Sequence, residues 1–201
     1  MRQLTSLAGV ALLLGVPGVL RAETWTVDAA HSRAQFAVRH MMVSTVRGEF
    51  TKVTGTVDLD EQEVSNSKVE ATIDTTTLST GVPQRDGHVK SADFLDVANH
   101  PSITFKSTKV EKAGDGRLKV TGDLTIRGNT KPVVLDVEPL SQTIKDRQGA
   151  FRSGTSATTK INRKDFGVNF NAVLDGGGVV VSDEVSITID IELVKRPSSA
   201  Q

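Results

Sequence analysis

Apolar and polar residues alternate with a period of two along most of this chain. Side chains that share one face of a β-strand have this spacing, whereas a helix repeats its apolar positions about every 3.6 residues. The clearest runs are Leu118, Val120, Gly122, Leu124 and Ile126, and Val185, Ile187, Ile189 and Ile191. The pattern recurs in about eight segments and predicts antiparallel strands, each with one apolar and one polar face.

No other pattern in the sequence competes with this alternation. There is no long amphipathic helix, no alternation of strands with helices and no internal repeat. Gly114-Asp115-Gly116 and Arg127-Gly128-Asn129 fall between strand segments and are typical of hairpin turns. We therefore expect one domain with an all-β fold, an eight-stranded antiparallel barrel around a filled or hollow interior. The periodicity leaves one alternative open, a packed β-sandwich without a cavity.

The stretch from Gln84 to Pro101 interrupts the alternation. Pro83 precedes it and suits the first turn of a helix, and His100-Pro101 closes it. The stretch also holds two of the four histidines and an arginine next to an aspartate. We expect one or two short helical turns that form a cap or a pocket rim over the strands.

The first 22 residues have the pattern of a secretory signal peptide. Arg2 supplies a positive charge, an apolar run follows from Leu7 to Val16, and Ala22 ends a plausible cleavage site. The apolar run is roughly half the ~20 residues that a membrane-spanning helix needs. We therefore expect residues 1–22 to be removed on export and residues 23–201 to form the barrel domain.

Composition excludes several classes of function. The chain has no cysteine, which rules out disulfides, a thiolate nucleophile and every cysteine-based metal site. Lys and Arg together number 24, as do Asp and Glu, so the charge balance gives no indication of nucleic-acid binding. An exported domain without disulfides must rely on its core, which fits a bacterial periplasm.

Neither a metal site nor a hydrolytic site is expected. The histidines, which are His31, His40, His88 and His100, lack the spacing that brings two ligands to one face of a strand or helix. Asp28, His31 and Ser32 lie too close in one turn for triad geometry, and the sequence has no Gly-x-Ser-x-Gly elbow. A turn-capping role suits these three residues better.

An ordered set of short motifs resembles the YceI-like family of exported lipid-binding proteins. The resemblance runs from Thr24 to about Leu193. The motifs are Trp25-Thr26-Val27-Asp28, His31-Ser32, Phe36-Ala37-Val38-Arg39-His40, Val46-Arg47-Gly48-Glu49-Phe50, Arg85-Asp86-Gly87-His88, Ser91-Ala92-Asp93-Phe94, Pro101-Ser102-Ile103-Thr104-Phe105, Gly122-Asp123-Leu124-Thr125-Ile126-Arg127-Gly128, Lys131-Pro132-Val133 and Ile161-Asn162-Arg163-Lys164-Asp165-Phe166-Gly167.

The resemblance implies a lipocalin-like barrel in the periplasm that holds a polyisoprenoid or another long-chain amphiphile, with no dedicated catalytic residues. Family members differ in ligand, and isoprenoid quinones, other isoprenoid lipids and fatty-acid-type chains are all associated with the fold. The chain departs from the family at Val82-Pro83-Gln84 and at Leu95. These differences leave the identity of the ligand open.

A dry tunnel suits a long apolar chain, because each buried CH₂ contributes roughly 0.8 kcal/mol. The alternation, with a bulge near Phe50, identifies the side chains expected to face inward. They are Phe36, Val38, Phe50, Val57, Ile73, Phe105, Leu124, Ile126, Leu135, Val137 and Ile189. Ordinary core packing would produce the same pattern.

We expect the polar end of a ligand to lie at the rim. Arg85, Asp86 and His88 are the candidates there, with His40 pointing inward from the barrel wall and Phe94 facing the interior from the cap. An arginine offers planar donors to a diphosphate or a quinone carbonyl, and a histidine can donate or accept. The alternatives are local salt bridges for Arg85 and Asp86, and a hydrogen-bonded core position for His40.

These observations predict a periplasmic binding or carrier protein for an isoprenoid lipid or quinone, acting without chemistry. Its partner would be a long-chain amphiphilic lipid, and the expectation extends to a transient contact with the membrane or a membrane protein and to a homodimer. Two alternatives remain open: an exported enzyme on the same barrel, and a ligand-free structural or interaction module.

Overall fold

The computed structural model describes residues 22–173 and 178–196. Apart from Ala22, the expected signal peptide lies outside the described residues. The elements in chain order are β1 Glu23–Val27, β2 Arg33–His40, β3 Ser44–Phe50, β4 Val53–Leu59, β5 Lys68–Asp74, β6 Leu78–Ser79, α1 Pro83–Lys90, β7 Ser102–Lys112, β8 Leu118–Ile126, β9 Asn129–Val137, β10 Ile144–Lys145, β11 Phe151–Asn162 and β12 Glu184–Lys195. Short 3₁₀ turns lie at Val64–Asn66, Thr75–Thr77 and Arg163–Phe166.

Eight of the strands close into an antiparallel barrel. The ring runs β1-β4-β5-β7-β8-β9-β11-β12 and returns to β1. Its longest seam joins β11 to β12, from Phe151 opposite Lys195 to Asn162 opposite Glu184. The expected all-β fold, an eight-stranded antiparallel barrel with a short helical insert, is confirmed.

At two positions in the ring, two shorter strands lie end to end where a single long strand would otherwise run. β1 and β2 share one edge of β12, with Leu193 opposite Val27 and Ile187 opposite Phe36. β3 continues the line of β4 after a break at residues 51–52. This break explains why Phe50 and Val53 are out of phase in the sequence, since both side chains contribute to the wall of the interior.

An apolar run starts at Val179, five residues before the last strand. β12 starts only at Glu184, because the backbone groups before it bond elsewhere. The Val180 N–H donates to the Ala172 carbonyl, and the Val180 carbonyl accepts from the Met41 N–H. Residues 179–183 therefore pair with the end of β2 and with loop residues at one end of the barrel instead of extending β12.

The antiparallel order places the irregular segments at two ends. One end, which we call the cap end, carries the β2–β3 turn (residues 41–43), α1 with the loop that follows it (residues 83–100), the β8–β9 turn (residues 127–128) and residues 163–173. The other end is closed by buried apolar side chains, among them Trp25 at 2% exposure and Leu193 at 3%.

The helix α1 is held by polar contacts and buries none of its side chains. Pro83 occupies its first turn, and the Asp86 N–H donates to the Val82 carbonyl. At the other end of α1, Lys90 Nζ donates to the Thr76 carbonyl at 2.8 Å. In the described part of the chain, no helix has both the length and the apolar character needed to cross a membrane.

Candidate ligand-binding site

The barrel encloses a cavity of about 600 Å³. Its wall consists largely of apolar side chains from the strands of the ring, and the arginine and histidine side chains that line it all lie at the cap end. Twelve of the thirteen residues that the sequence indicated as ligand-binding line it: Phe36, Val38, His40, Phe50, Val57, Ile73, Arg85, His88, Phe94, Phe105, Leu124 and Ile126. Leu135, Val137 and Ile189, also expected to face inward, do so as well.

Asp86, which was expected at the pocket rim, is the exception, because it is not among the residues that line the cavity. Its carboxylate turns back to the start of the cap, where it accepts from the backbone N–H of Thr80 at 2.7 Å and from the Thr80 hydroxyl. These bonds from Thr80 hold the pKa of Asp86 below its ordinary value. Asp86 therefore anchors the start of the cap and does not line the cavity.

Arg85 also binds Thr80 but remains part of the cavity wall. Its Nε donates to the Thr80 hydroxyl at 2.8 Å, and its Nη2 donates to the Thr80 carbonyl at 2.9 Å. Among the described residues, Nη1 has no hydrogen-bond partner and Arg85 makes no ion pair with Asp86. The guanidinium is thus fixed in orientation at the cavity wall and keeps one donor nitrogen for another group.

Three rings pack together where the cap meets the cavity. The His88 ring contacts Phe94 and Phe170 edge to face, with centroids 5.0 and 4.8 Å away, and the two phenylalanine rings are 5.0 Å apart. His88 Nε2 lies 3.0 Å from an Asp93 carboxylate oxygen. Because α1, the loop after it and the segment that follows β11 each contribute one ring, this cluster joins the pieces of the cap.

Apolar residues between β11 and β12 contribute to the cavity and were not expected from the sequence. Phe166, Val168 and Phe170 line it, together with Val180 and Val181. The two-residue spacing from Phe166 to Phe170 was a usable signal, although it lies in a segment that otherwise indicates an irregular loop. The hydroxyl-bearing side chains of Thr155 and Thr159 on β11 were also missed.

Arg163 holds this segment through hydrogen bonds to its backbone. It is only 5% exposed, and its guanidinium donates to the carbonyls of Val168 at 2.7 Å, Phe170 at 2.8 Å and Ser182 at 3.0 Å. Burial lowers the pKa of Arg163, while the nearby Asp183 carboxylate opposes that shift. With its nitrogens engaged in this way, Arg163 positions the loop that carries Phe170.

Arg127 ties two parts of the cap to the barrel. From the β8–β9 turn, its Nη1 donates to the carbonyls of Phe94 and Gly167, both at 3.0 Å, and its Nη2 donates to the Ala92 carbonyl at 2.8 Å. One guanidinium therefore bridges the loop after α1 and the loop after β11.

A separate polar cluster lies outside the cavity. Asp28, His31 and Glu192 could geometrically hold a cation, but the Arg152 guanidinium contacts the carboxylates of Asp28 and Glu192 directly. The hydrogen bond from Arg152, with a further one from His31, lowers the pKa of Asp28 to about 2. Ser32 accepts from the backbone N–H of Glu192 at 3.0 Å. The cluster joins β12 to β11 and to the β1–β2 connection, and its positive charge is supplied by arginine.

Comparisons with known proteins agree on one family. The YceI-like domain model matches residues 25–193. A UPF0312 protein of Vibrio cholerae is 36% identical over 170 residues, which cover 84% of this chain and 89% of the relative. Two solved structures share the fold. Burkholderia cenocepacia BcnA has a TM-score of 0.71 and 26% identity, with 85% of this chain and 99% of BcnA covered.

The second structure is a polyisoprenoid binding domain from Saccharophagus degradans, implicated in plant cell wall breakdown. It has a TM-score of 0.59 and 16% identity, and the match covers 86% of this chain and 98% of that domain. At this identity the likeness shows a shared fold. Together with the family model, which spans the whole barrel, these matches show that the chain belongs to the YceI-like domain family.

Proposed function

We propose that this protein is a periplasmic binding and carrier protein that holds an isoprenoid lipid or quinone in the barrel and performs no chemistry on it. The observation that carries the proposal is the cavity of about 600 Å³ with its largely apolar wall. The likeness in fold to a domain described as polyisoprenoid binding supports the same class of ligand.

The free energy of such a cavity favours an occupant. An empty apolar cavity costs stability, because its wall lacks the contacts that a filled core makes. An apolar chain avoids the cost and adds roughly 0.8 kcal/mol for each CH₂ that leaves water.

The cap end supplies the polar contacts that such a ligand needs. Arg85 offers its Nη1 to a phosphate oxygen or a quinone carbonyl, and charge-assisted bonds of this kind are stronger than neutral ones. His40 and His88 line the cavity at the same end, where either ring can donate or accept. The head group would therefore lie beneath the cap, with the tail extending toward Trp25 at the closed end.

The proposal can be tested by a larger side chain on the barrel wall that fills the cavity. Ala157 on β11 is buried and lies between Ile189 of β12 and Val137 of β9, all three of which line the interior. Ala157→Phe should place a ring in the space that the chain would occupy. Thr158→Val changes the adjacent, exposed residue and serves as the matched control.

A fluorescent geranylgeranyl amphiphile is the probe. The proposal predicts saturable binding by the unmodified protein, affinity lower by about tenfold or more for Ala157→Phe, and unchanged affinity for Thr158→Val. Equal binding by all three folded proteins would place the probe outside the barrel and contradict the proposal.

The periplasmic location rests on the pattern of residues 1–22. Osmotic-shock fractionation of host cells should release the protein, and its N terminus should lie close to residue 23. A protein that stays with the cytoplasmic fraction and keeps Met1 would contradict this part of the proposal.

A further inference from the structure

Three consecutive apolar side chains project into solvent at the cap end. Met41, Met42 and Val43 form the turn between β2 and β3 and are 42%, 59% and 78% exposed. We call these three residues the apolar tip. Val173, at 82% exposure, follows Ala172, whose carbonyl accepts from the Val180 N–H, and Val180 in turn bonds Met41. Val180 therefore links the tip to the residue that precedes Val173.

The backbone of the tip is strained. Met41 and Met42 have φ values of 49° and 61°, and the Val43 N–H donates to the His40 carbonyl to close the turn. Turns with two left-handed central residues favour Asn-Gly, because most other side chains are disfavoured at positive φ. Methionine at both positions therefore costs backbone stability, while it exposes two flexible apolar side chains. Strained backbone of this kind is common at functional sites.

Two arginines lie on the outer face beside the tip. The ladder places Arg39 opposite Thr45 and Arg47 opposite Ala37, so both arginines lie on the face of the hairpin that points away from the cavity. Arg39 donates to the Thr45 hydroxyl and to the Met42 carbonyl. Among the described residues, neither arginine forms an ion pair.

The position of the tip relates it to the cavity. Val38, His40 and Val46 lie on the inner face of the same hairpin and line the cavity, as do Val180 and Val181 across from it. Apolar side chains therefore lie along this hairpin both at the solvent-exposed tip and at the cavity wall. A lipid that follows these side chains would avoid crossing water.

We infer that the apolar tip, with Arg39 and Arg47, is a docking surface for an anionic lipid bilayer, through which the barrel exchanges its ligand. This inference builds on the proposed lipid-binding function. Methionine and valine side chains insert among acyl chains, while guanidinium groups contact lipid phosphates, a combination typical of proteins that bind at the membrane interface. One hairpin tip is too small for a stable protein interface, which buries about 800 Å² on each partner.

The test replaces the side chains and keeps the turn. The tip variant is Met41→Asn, Met42→Gly and Val43→Thr, which installs the preferred residues for positive φ and leaves the cavity lining unchanged. Ile144→Thr is the matched control, because Ile144 is as exposed as Met42, at 59%, but lies at the opposite end of the barrel. Arg47→Gln removes one charge from the docking surface.

Co-sedimentation measures binding to vesicles of phosphatidylethanolamine with phosphatidylglycerol, and to vesicles of phosphatidylcholine alone. The protein is purified from host cells and its N terminus is determined, since a retained leader would itself bind lipid. We expect the protein and Ile144→Thr to bind the anionic vesicles, and the tip variant to bind about tenfold less tightly or weaker. Arg47→Gln should weaken binding to anionic vesicles and leave the weaker binding to neutral vesicles unchanged.

Organic extraction of the same samples separates this inference from the proposed function. Cavity lipid in a protein that does not sediment with vesicles would overturn the docking surface alone. Tip-dependent vesicle binding by a protein without cavity lipid would support the docking surface and count against the proposed ligand. Sedimentation equilibrium provides a further check, because a dimer that the tip variant abolishes, without vesicle binding, would overturn the bilayer as the occupant.

Discussion

The ring of Phe36 lies against Gly48 across the β2–β3 ladder, so that a Cβ on Gly48 would stand 2.4 Å from the Phe36 Cζ. The next nearest atoms are also side-chain atoms, from Phe36 and from Thr80 of the cap. Because Phe36 lines the cavity, the missing side chain at position 48 leaves room at the wall for this ring.

Gly48→Ala should therefore move the Phe36 ring into the cavity and weaken binding of a long-chain probe. We expect only a modest loss of stability, about 1–3 kcal/mol, since the atoms that must move belong to side chains. Probe titration and urea unfolding measure the two effects. Gly87→Ala is the control, because a Cβ there meets nothing within 4 Å. Full probe affinity in a folded Gly48→Ala protein would show that Phe36 does not limit the space.

Arg127→Asn tests how the cap is held. Arg127 has a φ of 49°, which asparagine tolerates well, so the turn should survive while the bonds to Phe94, Ala92 and Gly167 are lost. We expect faster amide hydrogen exchange in residues 91–95 and faster release of a bound probe, with exchange in β11 and β12 unchanged. If the amides of residues 91–95 exchange as slowly as before, Arg127 does not hold the cap in place.

Arg85→Met removes the proposed head-group donor and keeps much of the apolar stem. An isoprenoid diphosphate should bind about tenfold more weakly or worse, because a charge-assisted bond contributes roughly 1.5–3 kcal/mol. An isoprenoid hydrocarbon without a head group should bind as before. Titration of both probes distinguishes the outcomes, and equal losses for the two would mean that Arg85 acts through the structure of the cap.

The Asp28 cluster predicts how stability depends on pH. The hydrogen bond from Arg152, followed by that from His31, lowers the pKa of Asp28 from 3.8 to about 2 in the folded protein. Since the folded pKa is the lower one, this contribution is fully present above about pH 5 and is lost as the pH falls from about 4 to about 2. Its size is about 2 kcal/mol.

Arg152→Met should therefore destabilise the protein near neutral pH, where the carboxylates that pair with Arg152 are ionised, and by much less near pH 2. Urea unfolding over that range measures the difference. A loss of stability that is the same at both ends of the range would assign the effect of Arg152 to packing.

The strands of the wall could be predicted because each inward position repeats every second residue. That reasoning located Phe36, Phe105, Leu124 and Ile126 correctly. It failed on β11, where Thr155 and Thr159 face the cavity although their side chains carry hydroxyl groups. Polarity alone does not reveal which face of a strand points inward when small polar residues occupy both.

The cap was harder to predict because its contacts are made by loop residues, which follow no repeating pattern. Asp86 is adjacent to Arg85 and would pair with it on local grounds, yet Thr80 binds both. Arg163 could be a rim residue or a solvated one until the carbonyls of Phe170 and Ser182 are brought to it.

Mass spectrometry of the lipid carried by the native protein tests the proposed function most directly. The protein is purified from its host without detergent and extracted with organic solvent, and the extract is compared with that of the Ala157→Phe variant. The proposal predicts a long-chain isoprenoid lipid or quinone in near-stoichiometric amount from the native protein and much less from the variant. A well-folded native protein whose extract contains no lipid would contradict it.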